Sequence, residues 1–206
     1  MITLEEARAY YEGSEAAHDF DHVLRVLSLA ERIGAVEGAD MEILRTAVLL
    51  HDVARAQEME GGGCHAKVGV KKVREILSHW PPQKVEAVAH AIAAHRFRGG
   101  VTPRTLEAKI LYDADKLDSI GAIGVARAYM VGGRLGQRVW TEVPPDASLE
   151  KNPLTSEHSP VIEFEVKLKK VKESLFTETA RAIAEERHRF MVEFFSRLER
   201  EVKGVL

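Results

Sequence analysis

Apolar residues recur at three- and four-residue steps through most of the chain. Val23, Val26, Leu27, Ala30 and Ile33 make one stripe after Asp21, which predicts a helix of about five turns. Ile43, Leu44, Ala47, Val48, Leu50 and Val53 repeat the pattern after Asp40, a good N-cap type. Val68, Val70, Val73, Ile76 and Leu77 follow the run Gly61-Gly62-Gly63. Pro81-Pro82 then breaks the chain, with Pro82 suited to the first turn of a helix carrying Val85, Val88, Ala89, Ile92 and Ala93. Leu106, Ile110, Leu111, Ala114 and Leu117 mark a further helix, and Gly121 and Gly124 open another with Val125, Ala128, Tyr129 and Val131. From Gly132 to about Pro160 the period fails among Gly-Gly, Pro144-Pro145 and Asn152-Pro153, so a long irregular connector is expected there. Two helices complete the chain, Val161 to about Ser174 and about Thr177 to Val202. No alternating strand pattern and no internal repeat appear. The fold class is all-α, a helical bundle with additional C-terminal helices, read as a single domain over 1–206 with a core at about 15–135, the connector at about 132–160 and the last helices at about 161–203.

Composition narrows the function classes. At 206 residues with 45% apolar and 30% charged residues, the chain can bury a core and is not a disordered tract. Twenty-nine basic against 32 acidic residues give a net charge of −3, which argues against nucleic-acid coating and against a polybasic membrane binder. No apolar run approaches the ~20 residues of a membrane helix, the N-terminus lacks a secretory pattern, and the lone Cys64 cannot form an internal disulfide. A cytoplasmic setting is the expectation.

Polar residues interrupt the apolar stripes at particular places. His51-Asp52 ends the run Ala47-Val48-Leu49-Leu50, which draws a carboxylate toward the core. Such a group needs a partner: a hydrogen bond, a helix cap or a cation. Seven of the nine histidines lie within residues 18–95, and Asp113, Asp115 and Asp118 cluster beside Lys116. His22, His51, Asp52 and Asp115 each fall on or beside a predicted helix, so all four can face one bundle interior. Two imidazoles and two carboxylates suit a borderline-to-hard divalent ion such as Mn, Mg, Co, Ni or Fe, with zinc left open but no thiolate in its favour, and with positions free for water and substrate.

The order His … His-Asp … Asp resembles that of the HD-domain metal-dependent phosphohydrolases. The local text around His18–Val26, Leu49–Ala54, Ala89–His95, Ala108–Asp118 and Gly121–Arg127 is similar to the YedJ/YpgQ-like subgroup. The resemblance implies one divalent ion held by His22, His51, Asp52 and Asp115. It also implies hydrolysis of a phosphoester or phosphoanhydride by water on that ion, on a small phosphorylated substrate of nucleotide type, including cleavage of nucleoside triphosphates to monophosphate and pyrophosphate. Asp52 and Lys116 are the catalytic candidates. His18, Arg55, His65, Lys67, His90, His95 and Lys116 are candidates for substrate contact; His18 lies one turn before His22, His65 and Lys67 follow the glycine run, and the cations suit phosphate. His90 and His95 are five apart and point differently on a helix, so one of them is expected at a surface or a cap. His79, His158 and His188 are expected at the surface. Arg55 stands where the 5′-nucleotidase branch places a carboxylate, which disfavours a monophosphate 5′-nucleotidase. Trp140 in the connector is a candidate for the substrate pocket, and the Phe-rich last helix is a packing face or, where exposed, a homodimer surface. The alternatives in other classes are a nonenzymatic nucleotide- or metal-binding sensor on the same fold, and a plain helical interaction protein whose His-Asp pair is structural.

Overall fold

A computed structural model describes residues 2–11, 20–54, 65–96, 101–148 and 152–206, the side chains of 65–67 excepted. The described chain is helical and contains no strand. In order, the helices are α1 (Leu4–Arg8), α2 (Phe20–Glu37), α3 (Met41–Leu50), α4 (His65–Ile76), α5 (Pro82–Ala94), α6 (Leu106–Leu117), α7 (Gly121–Arg134), α8 (Pro160–Val166) and α9 (Glu178–Val202), with 3₁₀ turns at Ala9–Tyr11 and Leu168–Ser174.

Local chemistry fixes the helix ends. Thr3 caps α1 reciprocally with Glu6, and Asp40 caps α3 by accepting the N–H groups of Glu42 at 3.0 Å and Ile43 at 3.2 Å. Pro82 takes the first position of α5, where the missing donor costs nothing. One helix expected from Val161 to about Ser174 is in fact broken. The backbone leaves the helical region at Lys167 (φ −132°, ψ −60°), and the chain continues as a 3₁₀ turn. Leu168 and Val171 are both buried there, and a three-residue apolar spacing is what the tighter 3₁₀ repeat places on one side.

The chain divides into two compact units, residues 1–116 with 176–180, and residues 117–175 with 181–206. In the first unit α2 packs on α3, α3 on α5 and α4 on α5. Ile33, Leu44, Leu50, Leu77, Ile92 and Ile110 are fully buried. α2 and α3 approach closely at Gly34, where an added Cβ would meet Leu44 Cδ2 at 2.6 Å. Asp113 on α6 is fully buried and accepts the backbone N–H groups of Phe176 (2.9 Å) and Thr177 (2.8 Å) and the Thr177 hydroxyl (2.7 Å).

In the second unit Phe164 of α8 stacks on Phe195 of α9 at 4.3 Å between ring centres. Trp140 lines a cavity of about 510 Å³ in this unit with Phe164, Lys169 and Phe195. His158, expected at the surface, is buried: its Nε2 lies 3.1 Å from Glu163 Oε2, and the pairing draws the ring in under α8. His79 is exposed and His188 half-buried. Asp118 is also buried and pairs with Arg127 at 2.8 Å.

Candidate metal centre

The site lies wholly within the first unit and is assembled from the ends and faces of four helices. α2 presents His22, which is 1% exposed. α3 stops at Leu50, so His51 and Asp52 occupy the turn that leaves it, and both are buried. α5 stops at Ala94 and presents His95 as its C-cap, also buried. α6 presents Asp115 and Lys116.

These groups converge. One ligand atom from each of His22, His51 and Asp52 falls within 4.8 Å of the others. His22 Nε2 is 3.5 Å from Asp115 Oδ1, which brings the fourth group of the expected set to the same place. The two oxygens of Asp52 face two imidazoles: Oδ2 is 3.8 Å from His51 Nε2 and Oδ1 is 3.6 Å from His95 Nε2. The His51 ring sits between the other two, with centroids 5.4 Å from His22 and 5.3 Å from His95.

Protonation of His51 follows from its surroundings. Its Nδ1 lies 2.7 Å from the Val48 carbonyl, an acceptor only, so Nδ1 carries the proton and donates. Burial pushes the imidazole pKa down to about 4, against the opposing pull of Asp52 and Asp115. At neutral pH the ring is therefore neutral, and Nε2 presents a bare lone pair. That atom is buried and has no hydrogen-bond partner among the described residues. A lone pair facing an Asp52 oxygen 3.8 Å away, without a proton between them, calls for a cation or a doubly donating water there. His95 repeats only the backbone contact, its Nδ1 2.6 Å from the Ile92 carbonyl. Both histidines cap helix C-termini, whose partial negative charge further favours a cation.

Asp115 completes the electrostatics. Burial alone would raise its pKa, but Lys116, His22 and His51 more than offset this and hold the carboxyl well below its usual range. Lys116 Nζ sits 2.6 Å from Asp115 Oδ2 and 5.3 Å from the centre of the Tyr112 ring. The donor set thus fits a divalent ion: three buried groups with the half-buried Asp115 beside them, oxygen- and nitrogen-based, and one orphaned nitrogen among them.

The sequence expectations divide around this cluster. His22, His51, Asp52, His95, Asp115 and Lys116 come together. His90 does something else: its Nε2 accepts the Arg104 backbone N–H at 3.0 Å and so supports the segment before α6. His65 and Lys67 fall in the first turn of α4, with side chains outside the described residues; His18 and Arg55 lie outside them altogether. One participant carries no sequence signal. The hydroxyl of Tyr11 donates to the Leu49 carbonyl at 3.0 Å and accepts the Asp52 N–H at 3.3 Å, directly behind the His51-Asp52 turn. Burial, and then the charge of Asp52, raise its pKa well above the usual value, so it remains a neutral donor.

The HD domain family model matches residues 19–120, a span that contains the whole cluster. YpgQ of Bacillus subtilis is 35% identical over 196 residues, covering 92% of this chain and 87% of YpgQ. The chain belongs to the HD-domain family. The crystal structure of YpgQ in complex with ADP superposes with a TM-score of 0.76 at 30% identity, over 99% of this chain and 100% of YpgQ. An HD-superfamily hydrolase from Bacillus thuringiensis gives a TM-score of 0.75 at 30% identity, over 97% of this chain and 94% of that one. Ribonuclease Y of Chloroflexus aurantiacus is 34% identical over 110 residues, where this chain covers only 20% of that longer protein. The resemblance seen in the motifs therefore holds along the whole chain: the protein is a metal-dependent phosphohydrolase of the HD superfamily, and the family implies a divalent metal. Among the described residues no helix is long and apolar enough to cross a membrane.

Proposed function

We propose that the chain hydrolyses a nucleoside triphosphate to the monophosphate and pyrophosphate, using one divalent ion held by His22, His51, Asp52 and Asp115. The observation that carries the reading is the inward-facing, unprotonated Nε2 of His51 among two carboxylates and two further imidazoles. Support for a nucleotide comes from YpgQ, whose crystal structure contains ADP. When bound, a divalent ion supplies Lewis acidity, neutralising phosphate oxygens and acidifying water. Mn, Mg, Co, Ni and Fe are the candidates, because the N₂O₂ donor set contains no thiolate.

The chain's own residues do the rest. The hydrogen bonds of His51 to Val48 and of His95 to Ile92 fix the tautomer and direction of each ring. Asp52, between two imidazoles, is the carboxylate placed to hold a proton from attacking water. Lys116 is a half-buried ammonium beside the cluster, suited to balancing charge on a phosphate oxygen. His95, whose Nε2 lies 3.6 Å from Asp52 Oδ1, is the imidazole assigned to substrate contact. A triphosphate panel with Mn, Co or Mg and identified products tests this. Monophosphate and pyrophosphate are expected, with turnover falling more than about 100-fold in Asp52→Ala, beyond the range for an outer-shell partner. Metal-loaded protein that leaves every nucleotide unchanged would instead identify a sensor, and release of phosphate rather than pyrophosphate would refute the bond assignment.

A further inference from the structure

α3 ends under unusual constraint. A continuing helix would pair the Asp52 N–H with the Val48 carbonyl and the Val53 N–H with the Leu49 carbonyl. Neither bond forms. The Val48 oxygen instead takes the His51 N–H at 3.4 Å and the His51 Nδ1–H at 2.7 Å, while the Val53 N–H turns to Leu50 at 3.3 Å. This tightening lets His51 lock its own tautomer, and it strips the Asp52 N–H and the Leu49 carbonyl of their helical partners in a buried place. A single side-chain oxygen serves both: Tyr11 donates to Leu49 at 3.0 Å and receives Asp52 at 3.3 Å. Tyr11 is itself buried, and its ring packs on Phe20 at 5.5 Å, two residues before His22.

We propose that Tyr11 is a positioning residue for the metal cluster, its hydroxyl closing the end of α3 and setting the backbone from which His51 and Asp52 reach the ion. This rests on the assignment of those two residues as ligands. The N-terminal segment, outside the matched domain of residues 19–120, thereby becomes part of the site's support. Tyr11→Phe removes one oxygen and keeps the ring.

Cobalt(II) titration of the full chain, with its visible absorption bands, is the test, run beside thermal melts in EDTA. Affinity about tenfold weaker, with altered band intensities, is expected for Tyr11→Phe, as for other residues that orient ligands from behind. Cobalt affinity within about twofold of wild type and an unchanged spectrum would overturn the proposal, even if the EDTA melt fell, because the hydroxyl would then be structural only. Asp52→Ala is titrated in parallel. If it binds cobalt as wild type does, the ligand assignment itself fails and the proposal falls with it; if it loses cobalt while Tyr11→Phe does not, only the role of Tyr11 fails. Should Tyr11→Phe not fold, hydrogen exchange at the Asp52 amide of the wild-type protein decides: slow exchange supports the bond to Tyr11, and exchange at the rate of an open turn overturns it.

Discussion

Metal-free protein should lose stability on mild acidification in a way that a single histidine controls. His51 has an ordinary value of 6.5 and is lowered to about 4 in the fold, chiefly by burial. The unfolded chain takes up this proton below 6.5, the native state only near 4. Between those values the unfolded state binds more protons, so native stability falls as pH falls. The full difference is about 3 kcal/mol, of which about 2 kcal/mol has gone by pH 5. Asp115 works in a lower window: a carboxyl held below its usual range stabilises above that range and loses the contribution only as pH drops through the lowered value. The interval from pH 7 to 5 therefore isolates histidine. Urea unfolding in EDTA across that interval, for wild type and His51→Gln, subtracts the contribution of the other histidines. The wild-type midpoint should fall more steeply, the gap between the two pH profiles closing by about 2 kcal/mol at pH 5. Parallel profiles would show that His51 is not the buried neutral imidazole described, and the argument for a bare lone pair facing the carboxylates would go with it.

Two substitutions elsewhere test the frame that carries the site. Asp113→Asn leaves one oxygen and one amide group where a carboxylate received three donors, and it should cost roughly 3 kcal/mol in urea unfolding at pH 7; a loss below about 1 kcal/mol would mean the carboxylate is not the anchor of the Phe176-Thr177 turn. Gly124→Ala places a Cβ 2.3 Å from the backbone oxygen of Ser119, an obstacle that no rotamer change relieves. It should lower stability by more than about 2 kcal/mol, and the melting temperature by roughly 4–8 °C, whereas a neutral result would mean that the α7 entry moves freely.

What the sequence could and could not disclose follows from how each feature is built. The helices of the first unit were readable because burial on one face imposes the 3.6-residue period, and Asp40 and Pro82 mark their starts by local chemistry alone. His51-Asp52 stood out for the same reason, as polar groups at the end of a fully apolar turn. His95 was harder to separate from His90, since spacing does not say where a helix stops. In the structure α5 stops at Ala94, and Ile92-Ala93-Ala94-His95 then repeats the arrangement of Val48-Leu49-Leu50-His51: an apolar turn, a helix end, and a histidine bonded to the carbonyl three residues back. That recurrence is legible in the sequence alone and marks His95 rather than His90. Tyr11 offers nothing comparable. It stands next to Tyr10, has no periodic context, and acts on backbone atoms 38 and 41 residues away. Periodicity reports which face of an element is buried. It does not report which distant side chain closes an element whose last turn has been drawn tight, and in this protein two of the four proposed ligands, His51 and Asp52, sit on just such a turn.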